Sequence, residues 1–251
     1  MTELTRFALA GGAAFLGAAI NAIAGGGSLI TFPALVAGGL PGVAANVTNQ
    51  VAMLPGYLGA TLAQRKELAG QRAHAVRLFP AGAVGGLIGA ALLLHTGEAM
   101  FAAIVPYLIL FAGLLLAVQE RLRRWLLAHA SGGHSEAWAI LPIGVASIYG
   151  GYFGAGLGVM LLAALAVVVG DTLTRLNAIK QGISLTCNAA AAARLVFSDQ
   201  VDWPVAEVMF VAAFAGGVVG GVIASRIPPA VLRWTVVALA VVVGVAYLAR
   251  R

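Results

Sequence analysis

Lys180 stands in the stretch Asn177-Ala178-Ile179-Lys180-Gln181-Gly182-Ile183, inside apolar sequence and with no carboxylate within eight residues on either side. A lysine in that setting has two uses. Its stem can carry the ammonium back to a membrane surface, or the ammonium can hold an anion. Amides flank it, and Asn177, Gln181 and Ser184 share one face of a helix. A similar set occurs earlier in the chain. Behind the turn Pro41-Gly42, an apolar segment opens with Asn46, Thr48, Asn49 and Gln50, of which Asn46 and Gln50 are i and i+4. Two such amide faces suit a polar cavity, and they also suit solvated helix ends joined by interhelical hydrogen bonds.

Each amide set has a glycine-rich neighbour. The first is Ala24-Gly25-Gly26-Gly27-Ser28-Leu29-Ile30, and the second is Gly154-Ala155-Gly156-Leu157-Gly158. Three successive glycines exceed what a packing face needs, so Gly25, Gly26 and Gly27 predict a non-helical turn from which a helix restarts at Ser28. The start of a helix offers unpaired N–H groups and about half a positive charge, and a serine hydroxyl there adds a donor. An anion could therefore be held by Gly25, Gly26, Gly27 and Ser28 on one side and Gly154, Gly156 and Gly158 on the other. Tyr149, Tyr152 and Phe153 flank the second turn as candidate gating residues, and packing is the other reading of them.

The elements that must position these groups are membrane helices. Of 251 residues, 61% are hydrophobic and 10% charged, and the mean hydropathy is +0.97; soluble domains carry about 25% charged residues. The apolar runs are long, which argues for helices and against a membrane barrel. The formal charge of +6 sits in loops and ends, as orientation signals do, and no nucleic-acid motif accompanies it. The single cysteine, Cys187, excludes an internal disulfide and reads as packing. None of the nine acidic residues falls in the middle of an apolar segment. A cation site or a buried proton-carrying carboxylate would need one, so the balance favours an anion. His129 and His134 have no partners at metal-ligand spacing, and no metal, cofactor or catalytic set is expected. Arg6, an apolar run and Ala22-Ile23-Ala24 imitate a cleavable signal. That reading is set aside, because the second half of the chain repeats the same segment.

The chain reads as a duplication. Shifted by 131 residues, Asn46 falls on Asn177, Gln50 on Gln181, and Gly85, Gly86 and Gly89 on Gly216, Gly217 and Gly220. Upstream, a one-residue gap places Gly26 on Gly156 and Leu35 on Leu165. Residues 1–120 form a first repeat, 121–137 a basic cytoplasmic linker and 138–251 a second repeat. Apolar segments lie near 7–24, 28–40, 43–63, 76–95 and 99–119, and again near 138–154, 157–170, 176–197, 205–225 and 230–249. The second segment of each set is too short to cross. An all-α bundle therefore has eight full crossings with parallel repeats, or ten segments with inverted repeats and short re-entrant arms. The basic loop near 64–77 is matched by an acidic one at Asp199 and Asp202, which favours inversion. The basic tail Arg250-Arg251 fits it less well.

The stretches from Asn21 to Gln50, "NAIAGGGSLITFPALVAGGLPGVAANVTNQ", from Gly150 to Leu165, "GGYFGAGLGVMLLAAL", and "RLNAIKQ" to Gln181 resemble the TauE/SafE sulfite exporter family over nearly the whole chain. The resemblance implies a multi-pass permease of the bacterial inner membrane for sulfur-containing anions such as sulfite, organosulfonates or thiosulfate. The expected partners are a small anion and the lipid bilayer, with a homodimer left open and no nucleic acid. An anion channel, a permease for another small organic anion such as a carboxylate, and a structural membrane subunit stand as the alternatives.

Overall fold

A computed structural model describes residues 2–129, 137–169, 171–224, 226 and 229–249. Among these every regular element is a helix. In chain order they are α1 (Glu3–Ile23), α2 (Ser28–Ala37), α3 (Gly42–Ala52), α4 (Leu54–Ala63), α5 (Arg72–His95) and α6 (Glu98–His129). The second half has α7 (Ala137–Tyr152), α8 (Leu157–Val168), α9 (Leu173–Leu195), α10 (Trp203–Ile223) and α11 (Pro229–Ala249). Five of them, α1, α5, α6, α10 and α11, are long and apolar enough to cross a membrane. The fold is a polytopic membrane bundle.

Helices α2 and α8 have 10 and 12 residues. At 1.5 Å per residue they cover about 15–18 Å of a ~30 Å hydrocarbon layer. α2 turns back beside α1: its C-terminal Gly38 approaches the stem of Arg6, near the start of α1. It is thus the short arm of a hairpin, and α8 stands in the same relation to α7. The segment from 43 to 63, read from sequence as one helix, is divided at Met53 into α3 and α4. Pro55 lies in the first turn of α4, and its missing N–H cannot continue the ladder from α3. The equivalent α9 has no proline and runs unbroken for 23 residues.

The packing is reciprocal between halves. α1 packs on α10 as α7 packs on α5, and α4 packs on α10 as α9 packs on α5. Helices that correspond in the duplication meet antiparallel. Gly113 of α6 lies against Ala240 of α11, while Gly244 lies back against Leu110. In the same way Tyr57 of α4 neighbours Asn188 of α9, while Gln64 bonds Asn177 at the other end. Antiparallel equivalents are what inversion requires, so the arrangement with ten segments and two short arms is the one seen. The basic linker is entered by helix, since α6 continues to His129; residues 130–136, including His134, lie outside the described set.

Polar contacts fasten the two ends of the bundle. At one end Glu98 accepts from the amides of Gly42 and Val43 at 2.6 and 2.9 Å, capping α3, and Arg6 pairs with Asp202. At the other, Arg175 pairs with Asp171 at 2.7 Å and reaches the Ala69 carbonyl. Partial desolvation works to raise the Asp171 carboxyl, but the Thr172 amide and the Arg175 guanidinium outweigh it and hold it below the usual carboxylate value. The first end is acidic and the second carries the basic 64–77 loop, Arg226 and Arg233, so the positive-inside rule assigns the second end to the cytoplasm, and on that ground it is the cytoplasmic side.

Candidate functional site at the glycine turns

Gly25 and Gly26 have φ of 82° and 86°, and Gly154 and Gly156 have 84° and 83°. This left-handed conformation is open to glycine at little cost, and it lets each chain reverse in three or four residues. The two turns meet: a methyl group built on Gly25 would lie 3.6 Å from the Gly158 Cα. One built on Gly158 would lie 3.4 Å from Lys180 Cδ and 3.7 Å from its Nζ. One on Gly154 would meet Gln50 Oε1 at 3.3 Å and Ser28 Oγ at 3.5 Å. The glycines thus bring Ser28, Gln50 and Lys180 to the junction of the halves.

Lys180 is 1% exposed. It does not snorkel to a surface. Its ammonium donates to the Asn21 carbonyl at 3.4 Å, and among the described residues no carboxylate pairs with it. Burying an ammonium with so little compensation is costly. Around it, the amides of Leu29, Ile30 and Thr31 are taken by the carbonyls of Gly26 and Gly27, and those of Leu157, Val159 and Met160 by Gly154 and Gly156. The amides of Gly26, Gly27, Ser28, Ala155, Gly156 and Gly158 have no acceptor among the described residues. The donors therefore sit in the turns and in the first residues of the short helices.

The amide side chains have a more specific employment than lining a cavity. Asn46 Nδ2 donates to the Tyr152 carbonyl at 2.7 Å, and Gln50 Nε2 to those of Gly150 and Gly151 at 2.8 and 3.0 Å. Reciprocally, Asn177 Nδ2 and Gln181 Nε2 donate to the Ala22 carbonyl at 3.3 and 3.1 Å. Each half thus caps the broken helix of the other, satisfying carbonyls that the glycine turn leaves without an intrahelical donor. The side-chain oxygens of Asn46, Asn49 and Gln181 are buried without a partner. Thr48 lies on the opposite face of α3, where its hydroxyl takes the Asp202 amide at 2.9 Å and faces the Gln200 carbonyl, away from the glycine turns. We expect Gln50→Leu to lower stability by about 1–3 kcal/mol, because it strands the Gly150 and Gly151 carbonyls, and Gln181→Leu to lower it less, because Asn177 still donates to Ala22. Thermal unfolding in detergent measures this, and an unchanged midpoint would remove the capping role.

Two unequal cavities approach the junction from opposite ends. On the cytoplasmic side a vestibule of 480 Å³ is lined by Ile23, Gln64, Lys66, Leu162, Asn177 and Arg233, among others. It ends one turn of α9 short of Lys180. Of the openings at the other end, one of 300 Å³ lies against Arg6 and Asp202, and the cavity over the junction has 240 Å³ and is lined by Val43, Leu94, Thr96, Gly97, Glu98 and Gln200. Between it and the glycine turns stands an aromatic cluster. Phe32 meets Phe153 edge-on at 5.5 Å and Phe101 at 6.1 Å, and Tyr149 and Tyr152 pack behind them. Gln64, Phe32 and Phe101 were not singled out from sequence. Gln64, beside a basic loop, looks like a solvated helix end, and an aromatic residue within an apolar run gives no separate signal.

The sequence profile of the TauE/SafE sulfite exporters matches residues 10–247. The chain belongs to the TauE/SafE family. Among its relatives are a protein of Haemophilus influenzae named "Probable membrane transporter protein", 29% identical across 82% of this chain and 80% of its own, and Escherichia coli "Probable membrane transporter protein YfcA", 28% identical across 82% and 76%. "Probable membrane transporter protein ORF9" of a Sinorhizobium species is 25% identical across 83% and 79%. No solved structure matches. This TauE/SafE protein is a multi-pass transporter of the bacterial inner membrane, and its relatives are named as transporters rather than enzymes.

Proposed function

We propose that the protein is a permease for small sulfur-containing anions: sulfite, organosulfonates or thiosulfate. The anion binds near the midplane between the glycine turns at 25–28 and 154–158. The observation that carries this reading is Lys180, an ammonium buried at the junction with one carbonyl contact and, among the described residues, no carboxylate. An anion there gains a charge-assisted hydrogen bond and removes the cost of an unpaired cation. Turn amides and the Ser28 hydroxyl supply further donors to its oxygens. Asn46, Gln50, Asn177 and Gln181 hold the turns, and because α10 packs into the first half and α5 into the second, the two bodies that move are α1–α4 with α10 and α7–α9 with α5. The ring cluster around Phe153, Tyr149 and Tyr152 is the gate on the outer side. A buried aromatic seal at one end supports a carrier over an open channel.

The test is a thermal-shift panel on purified protein with sulfite, sulfate, thiosulfate, short sulfonates and short carboxylates, followed by uptake into liposomes. A ligand at one hundred times its Kd stabilises by about 2.7 kcal/mol. The expected result is a shift with sulfur anions and saturable counterflow. A shift with carboxylates alone would move the substrate class, and a response only to cations or neutral solutes would overturn the proposal.

A further inference from the structure

The duplication makes the two access routes comparable residue by residue, and the comparison identifies a second gate. With the offset of 130 that fits the glycine turns, Phe32 corresponds to Leu162 and Phe153 to Ile23; with the offset of 131 further on, Phe101 corresponds to Leu232 and Val43 to Thr174. On the outer side Phe32 and Phe153 are in ring contact, each 1% exposed. On the cytoplasmic side Ile23 and Leu162 are half-buried, and both line the vestibule together with Thr174 and Asn177. The amides follow the same asymmetry: Asn46 is fully buried behind the rings, whereas Asn177 is partly open to the vestibule. A contact closed at one end is open at its equivalent.

Inverted halves can exchange conformations about a fixed central site. Resting on the carrier reading above, we propose that Ile23 and Leu162 form the cytoplasmic gate, meeting below Lys180 in the outward-open state as Phe32 and Phe153 meet above it in this one. Leu232, which corresponds to Phe101, backs that contact. The two gates are unequal in kind. Phe32, Phe153 and Phe101 form edge-to-face pairs, which gain beyond their buried area, while the cytoplasmic set is aliphatic. The aromatic gate therefore holds the transporter open to the cytoplasm, and weakening it exposes the other state.

The experiment makes the gates alike. Phe32→Leu with Phe153→Ile installs at the outer gate the residue types of the inner one, without adding volume. In that background and in the parent, Leu162→Cys is labelled with a water-soluble maleimide in detergent, and Ile23→Cys/Leu162→Cys is oxidised to test for a disulfide. Cys187 is fully buried and stays in place. The expected result is an Ile23→Cys/Leu162→Cys disulfide forming about five-fold faster in the gate variant, because the minor outward-open population rises by the factor that loss of one aromatic pair gives, with slower labelling of Leu162→Cys. An unchanged disulfide rate in monodisperse protein would overturn the inference. Should the gate variant aggregate, Ile23→Phe with Leu162→Phe is read instead in the parent chain. There the added rings must slow maleimide labelling at Asn177→Cys, which is partly open to the vestibule one turn of α9 further in than the exposed Thr174, and an unchanged rate again overturns it. Binding of a short sulfonate is measured on the same samples: its absence overturns the substrate reading alone, because the labelling needs no ligand.

Discussion

Lys180→Met loses anion binding and transport while the empty protein stays folded and becomes no less stable. Methionine has nearly the length of the lysine stem and no charge, so it fits the space beside Gly158. In the empty protein the change removes a buried cation whose one recorded contact is a 3.4 Å bond to Asn21. Replacing such a group with an apolar one is often neutral or stabilising. With an anion bound the sign reverses. A hydrogen bond to a charged group contributes about 1.5–3 kcal/mol, more in a dry site, so affinity should fall roughly 30-fold or further. The pair of readouts separates function from packing. A lysine that only filled space, which methionine fills as well, would give an unchanged melting temperature together with an intact anion-induced shift, and an intact shift would remove Lys180 from the site. The measurement is thermal unfolding of parent and variant with and without sulfite, then uptake.

The second large effect is on assembly. Gly86 and Gly217 correspond in the duplication, and both let helix backbones touch. A methyl built on Gly86 would lie 2.2 Å from the Cys187 carbonyl oxygen, and one on Gly217 would lie 2.1 Å from that of Gly56. Neither neighbour is a side chain that can swing away. Gly86→Val and Gly217→Val must separate α5 from α9 and α10 from α4, at a cost of about 3 kcal/mol or more each. The expected outcome is loss of monodisperse protein on gel filtration, or a melting temperature well below the parent. Gly12 and Gly144 are the controls. Nothing lies within 4 Å of a methyl there, and alanine at either should change stability by no more than about 1 kcal/mol. Equal tolerance at all four positions would contradict the close packing.

Much of this architecture was legible because the chain presents it twice. A single run of glycines is ambiguous between turn and packing seam. Two runs, each followed by a short apolar segment and then an asparagine and glutamine at i and i+4, restrict the choice. The glycine spacing at 85, 86, 89 and its repeat likewise announced packing. Other features were hidden for physical reasons. The break at Met53 depends on Pro55, whose effect on a helix varies with what neighbouring elements supply. The capping role of Gln50 and Gln181 is a contact across more than one hundred residues, and local sequence contains no trace of it. Whether Lys180 reaches a surface or stays buried depends on the length of α9 beyond it and on the lid made by the α1 turn, both tertiary facts. The aromatic cluster is only half legible: Phe153 stands beside a glycine turn, but its partners Phe32 and Phe101 are distant from it in the chain and look like ordinary membrane residues.

The exchanged caps bear on how the chain is made. The carbonyl of Ala22, at the end of the first broken helix, receives its donors from Asn177 and Gln181. When α1 and α2 enter the bilayer during synthesis, those residues have yet to be translated, since Asn177 lies 140 positions beyond Ala37, the last residue of α2. The nascent N-terminal half must therefore wait in the membrane with the α1 turn unsealed, accessible to water or a chaperone, until α9 inserts beside it. A ribosome that stalls before Gln181 leaves the insertase holding an unfinished hairpin, which marks that stage of biogenesis as the one most exposed to membrane quality control.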